Sequence, residues 1–146
     1  MSDSDAVDTG ENDVAYRVMT VESVTFELGD ASPQVNLMEA EMPYRYLSVP
    51  IALPEAQALH NALVGVQGRR PGTHELTSEM LARLRSDIIA ARIVRCEGGV
   101  FFAELDVMTP RGRERFDCRT SDALILAVRQ NVPAPVLCAE EVLANS

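Results

Sequence analysis

Residues 100–118 constrain this chain more tightly than any other stretch, because only one strand register lets them bury a face. If the Pro110-Arg111 turn directly joins strands 100–108 and 113–118, Thr109 pairs with Gly112. Leu105 then lies opposite Phe116 and Ala103 opposite Cys118, all on one apolar side. The other side carries Asp106 opposite Arg115, Glu104 opposite Asp117 and Phe102 opposite Arg119. A slip of one residue would send the apolar sets to opposite faces. The result is a charged sheet face with Glu104, Asp106 and Asp117 among Arg113, Arg115 and Arg119. It reads either as a solvated face stitched by cross-strand pairs worth roughly 0.2–1 kcal/mol each, or as a Glu104–Asp117 pair holding a divalent cation beside phosphate-binding arginines.

The remaining chain supplies further strands and the helices. Alternation at Val14, Tyr16 and Val18, and again at Val24, Phe26 and Leu28, predicts strands; Met19 and Val21 break parity and predict a bulge or burial on both sides. Residues 29–33 read as a turn, 35–40 and 44–51 as strands, with Pro50 at a strand end or edge. Leu53-Pro54-Glu55 opens a helix with core positions Ala56, Leu59, Leu63 and Val66. After a 65–72 loop, Thr73 is the expected N-cap of a second helix with a core face of Leu76, Met80, Leu81 and Leu84. Strand 88–96 turns through Glu97-Gly98-Gly99 into the hairpin above. A helix over about 122–130 is apolar nearly all round, and a short buried strand 135–138 and a helical turn 139–144 follow. The order βββ-αα-βββ-α-β predicts an α+β fold, a mostly antiparallel or mixed sheet packed with about three helices.

At 146 residues the chain fits one domain, over 14–146, after an acidic stretch 1–13 too poor in apolar residues to order itself and expected to be a disordered tail. The net charge of −9 argues against a generic nucleic-acid surface. There is no lysine, so all 13 cations are arginines. Arginine suits bidentate phosphate or carboxylate binding, although GC-rich coding bias leaves the same composition. Cys96, Cys118 and Cys138 form neither a disulfide framework nor a zinc pattern and fit a reducing compartment; Cys118 and Cys138 read as buried. No secretory signal or membrane span is visible, which leads to the expectation of a cytoplasmic protein with no membrane partner.

Candidate chemistry concentrates in two clusters, Arg70-Pro71-Gly72-Thr73-His74-Glu75 and Arg119-Thr120-Ser121-Asp122. Each opens a helix, where backbone N–H groups are left for anions. His74 in a first turn suits a neutral base or a metal ligand, and equally a packed residue at the helix entrance. Glu75 reads also as a dipole-compensating acid, and Ser121 and Asp122 as caps. Caps do not explain Arg70 and Arg119 beside them. His60 reads as a surface residue. Ser121 lacks a nucleophile elbow and its neighbour Asp122 cannot complete a relay, so a hydrolase triad is rejected. Glycine-rich phosphate loops are missing, and with 5% aromatics and no tryptophan so is an RNA-stacking surface.

In these clusters the chain resembles the bifunctional nuclease domain family. Arg70-Pro71-Gly72-Thr73-His74-Glu75-Leu76 is similar to that family's Arg-Pro-x-Thr-His-Asp-Leu run, and Arg119-Thr120-Ser121-Asp122-Ala123 to its Arg-Pro-Ser-Asp-Ala. The likeness extends through Pro135-Val136-Leu137 and Glu140-Glu141-Val142-Leu143, covering residues 18–143. Glu75 stands where the family has Asp, Thr120 where it has Pro, and Leu47-Ser48-Val49-Pro50-Ile51-Ala52 replaces Leu-Pro-Ile-Trp-Ile-Gly, which changes the shape beside the first helix. The resemblance implies nuclease activity on DNA and RNA. Under it Arg70, Arg119 and Ser121 would bind substrate, Glu75 and Asp122 would hold a divalent cation such as Mg or Mn, and His74 would act with them as base or ligand. The alternative is a non-catalytic anion- or protein-binding regulatory module, which the net charge favours. An apolar last helix and an open sheet edge leave room for a homodimer.

Overall fold

The structure, a computed structural model, describes residues 14–26 and 32–146. The acidic stretch 1–13, Leu28 and most of the 29–33 turn lie outside the described residues. The described residues form β1 (Tyr16–Thr25), β2 (Gln34–Glu39), β3 (Tyr46–Pro50), α1 (Leu53–Val64), α2 (Thr73–Arg83), β4 (Asp87–Glu97), β5 (Val100–Thr109), β6 (Gly112–Arg119), α3 (Thr120–Val128), β7 (Val136–Ala139) and α4 (Glu140–Ala144). The strands make one mixed sheet in the order β3-β2-β1-β7-β4-β5-β6. Every pairing is antiparallel except β4 with β7. This is the α+β architecture expected, with the open edge strand β3 ending on Pro50.

The β5–β6 register is the expected one, from Thr109 opposite Gly112 to Phe102 opposite Arg119. Glu97 pairs with Val100 across Gly98 and Gly99, whose φ values of 57° and 80° are those a two-residue hairpin turn requires. One sheet face is the core: Val35, Leu37, Val49, Ile93, Ala103, Leu105 and Val107 pack with Ala56 and Leu59 of α1 and with residues 123–127 of α3. α3 is buried on nearly all sides because it crosses back over β4 and β5 to reach β7.

Several expectations are corrected. In β1 the residues turned inward are Met19, buried, and Val21, half-buried, while Val18 is 49% exposed. The register shifts between Val21 and Ser23, after which Val24 packs against the core, so the bulge reconciles the two parities. Gly72, not Thr73, is the N-cap of α2, and Glu75 reaches back to its N–H at 2.6 Å. No residue of α2 is buried; Leu76, Met80 and Leu84 are exposed and Leu81 is half-buried. α2 meets α3 through His74, Glu75 and Ser78, and helical spacing then turns Leu76, Met80 and Leu84 away. α3 begins at Thr120 with Arg119 as N-cap and no capping side chain, so Ser121 and Asp122 stand inside the first turn rather than capping it. Val66 is exposed beyond the end of α1, and Cys118 is half-buried rather than buried like Cys138.

Candidate functional site

The two polar clusters meet. The first turns of α2 and α3 lie side by side, and Nε2 of His74 hydrogen-bonds Oδ1 of Asp122 at 2.8 Å. Asp122 also accepts from Arg119, at 2.9 Å from Nε to Oδ2 and 3.1 Å from Nη2 to Oδ1. Arg119 reaches on to Oε2 of Glu55 in α1 at 3.4 Å. The pattern is local in origin: Arg119 ends β6 and Asp122 sits three residues on, so the guanidinium folds back over the first turn of α3. Burial pushes the Asp122 carboxyl up, but the bonds from Arg119 and His74 outweigh it and hold the carboxyl below its ordinary range.

The two partners of Asp122, His74 and Arg119, line separate clefts. One, about 360 Å³, is lined by Arg70, Thr73, His74, Glu75 and Arg129 among others. The other, about 320 Å³, is lined by Glu55, Phe101, Arg119, Thr120 and Ser121 among others. His74 faces the first and Arg119 the second. Arg70 is exposed, and Ser121 is buried with 6% of its surface accessible. Sequence reading placed these residues at one site; the structure brings His74, Asp122 and Arg119 into contact, sets Arg70 and Glu75 beside His74, and puts Ser121 at the floor of the other cleft.

Glu75 and Asp122 have different partners. Glu75 accepts from the Gly72 N–H and pairs with Arg129 at 3.5 Å, while both Asp122 oxygens accept from Arg119 or His74. Among the described residues no group of three or more His, Cys, Asp or Glu converges as a metal site would. As arranged, these side chains do not form a cation cage. Glu104 and Asp117 are cross-strand partners as expected, but the charged face centres on Asp106, which is 1% exposed and ion-paired with Arg113 at 2.8 Å and Arg115 at 3.1 Å.

Sequence reading missed Glu55 and Arg129. Glu55 lies in α1 and Arg129 caps the end of α3, and their roles depend on tertiary contact; Arg129, with a side chain 12% exposed, ties Glu75 to the Val66 carbonyl. A larger cavity, about 880 Å³, lies elsewhere, between β3, the β4–β5 turn and α4, and contains none of these residues. Its charged lining, Arg95, Glu97 and Glu141, includes an Arg95–Glu97 pair at 2.9 Å. Size and chemistry thus disagree, and the contact of His74, Asp122 and Arg119 makes the smaller clefts the candidate site.

An α+β sheet protein with paired helix starts carrying Arg-His-Glu and Arg-Ser-Asp sets is the class that this fold and site define. The chain belongs to the bifunctional nuclease domain family, whose model matches residues 35–146. That match spans α1 to α4 and so includes every residue of the two clefts. The chain is also similar to two Mycobacterium tuberculosis proteins, Rv1829 of strain H37Rv and MT1877 of strain CDC 1551. Each is 32% identical over 126 residues, covering 86% of this chain and 73% of the relative, and each is described as uncharacterized. Among the described residues no helix is long and apolar enough to cross a membrane.

Proposed function

We propose that this chain is a nuclease that hydrolyses phosphodiester bonds of DNA and RNA, with His74, Asp122 and Arg119 as its chemical unit. The observation that carries the reading is the 2.8 Å contact between His74 Nε2 and Asp122 Oδ1, made on a carboxylate that Arg119 also grips. An ionised Asp122 accepting from Nε2–H selects the tautomer whose Nδ1 bears the lone pair. Nδ1 then takes a proton from water as its oxygen attacks phosphorus. The P–O bond to the leaving nucleoside breaks, and the leaving oxygen takes its proton from solvent. Arg70, exposed in the His74 cleft, and Arg119, whose donors outnumber its contacts with Asp122 and Glu55, stabilise charge on the phosphoryl oxygens. Glu75 and Asp122 are each held by partners of their own, so the proton transfer and charge relief rest on His74 and the arginines.

A second reading, a non-catalytic anion- or protein-binding module, is favoured by a specific observation: Glu75, Asp122 and Arg119 all have internal partners, as structural residues do. Cleavage of single-stranded DNA and RNA by highly purified protein separates the two, run with Mg or Mn and with chelator, beside a His74→Ala, Asp122→Ala double variant. Cleavage lost in the double variant supports the nuclease. Equal cleavage by both preparations points to contamination and removes the assignment. Binding without cleavage by the wild type supports the second reading.

A further inference from the structure

The cleft on the Arg119 side holds hydrogen-bonding groups that the fold leaves unused. Ser121, with 6% of its surface accessible, lines this space of about 320 Å³. Its hydroxyl has no partner among the described residues and is not sealed from solvent, so it is open to the cleft. Thr120 beside it differs, its Oγ1 being committed to the Phe101 carbonyl at 3.2 Å. α3 carries no capping side chain, which leaves first-turn N–H groups next to Ser121. Glu55 of α1 lines the same cleft with a side chain 18% exposed. Its Oε2 has only the long 3.4 Å contact with Arg119, and its Oε1 has no partner among the described residues. A hydroxyl and a carboxylate this far buried, with capacity unused, carry a desolvation cost that a ligand would offset.

Much of the remaining lining is apolar, from Val100 and Phe101 of β5 and from Pro50 and Ile51 where β3 leads into α1. The charged side chains in the lining are one arginine and one glutamate, so neither sign is in excess. Apolar walls with a few polar groups suit a flat, neutral ring better than an ion. We infer that this cleft takes a guanine base. Guanine alone among the nucleobases presents two adjacent donors, N1–H and the 2-amino group, to the two oxygens of one carboxylate, here Glu55. Adenine, cytosine and uracil set an acceptor beside each donor on that edge. The guanine O6 is left to accept from the Ser121 hydroxyl or the first-turn N–H groups of α3, and Phe101 and Pro50 offer apolar surface to the ring. The inference rests on the nuclease reading for one point: with Arg119 on the adjoining phosphate, the guanine belongs to a nucleotide beside the cut.

The test titrates the full chain with the 5′-monophosphates of guanosine, inosine and adenosine, followed by backbone amide NMR, with cleavage of single-stranded oligonucleotides measured alongside. The guanine nucleotide should bind about tenfold or more tighter than the adenine nucleotide and shift the Ser121 and Phe101 amide signals. Inosine monophosphate, which keeps N1–H but lacks the 2-amino group, should fall between them. Glu55→Gln should bring the guanine nucleotide down to the adenine level, because an amide keeps only one of the two acceptor oxygens. Equal affinity of the wild type for the guanine and adenine nucleotides overturns the inference, as does binding of neither at millimolar concentration, and both answers come without the variant. A guanine preference in a chain that cleaves no oligonucleotide upholds the base site and removes the nuclease. Cleavage without that preference removes the base site and leaves the nuclease standing.

Discussion

His74 and Asp122 stand 48 residues apart in sequence and share a 2.8 Å hydrogen bond between the first turns of α2 and α3. α2 buries no residue fully, so this contact and its neighbours Glu75–Arg129 and Ser78–Gln130, with half-buried Leu81 packed on the core, seat the helix. The site residues therefore have two duties, holding a peripheral helix and presenting a polar cleft. The ionised Asp122 serves both. Its carboxyl is held below its ordinary range, so its contribution is complete above that range and fades as pH falls through the lowered value.

The layering makes a mutational contrast. Leu124 of α3 is fully buried between α1 and the sheet, so Leu124→Ala should cost about 2–5 kcal/mol of unfolding free energy. Leu76 of α2 is 50% exposed, and Leu76→Ala should stay within about 0.5 kcal/mol of the wild type. Urea unfolding of the two variants checks this. A Leu76→Ala loss as large as that of Leu124→Ala would mean that α2 turns its apolar stripe inward.

Acid should unfold the chain partly through Glu39. This carboxylate, fully shielded at the end of β2, accepts from the backbone and side chain of Arg45 and from Arg17, and Arg45 chiefly holds its pKa down at about 2. Its folded value lies below the ordinary 4.5, so its stabilisation is present above about 4.5 and lost as pH falls toward 2. Thermal melting across pH 2–6 should show a steeper acid slope for the wild type than for Glu39→Gln. Parallel slopes would contradict the assignment.

The thiols should differ sharply in reactivity. Cys96 is exposed, whereas burial pushes Cys118 to about 11 and Cys138 to about 12. At pH 8 a thiol reagent should modify Cys96 rapidly in native protein and the other two only on unfolding. Fast reaction of all three would contradict the burial of Cys138.

Much of this was legible from residue pattern, and the exceptions share a cause. The β5–β6 register followed from which apolar sets could share a face, and the glycine turn and Leu53-Pro54 helix start from local backbone needs. α2 misled because Leu76, Met80, Leu81 and Leu84 form an apolar stripe at helical spacing, yet with His74, Glu75 and Ser78 turned to α3 only Leu81 of that stripe reaches the core. Glu39 continues the buried parity of Val35 and Leu37, but its partner Arg45 lies beyond a turn, and the second carboxylate on Arg45, Glu140, is 95 residues further on. Arg129 and Glu55 joined the site through tertiary contact alone. Motif reading located the candidate site to two helix starts; which of their side chains touch depended on how α2 and α3 pack.

The most direct measurement is a double-mutant cycle on cleavage of a single-stranded oligonucleotide, with kcat/KM for His74→Ala, Asp122→Asn and the pair. If the two side chains act as one unit, each single variant should lose about 10²–10⁴-fold, and the pair little more than the worse single. Multiplying losses, or activity unchanged in either single variant, would contradict the account.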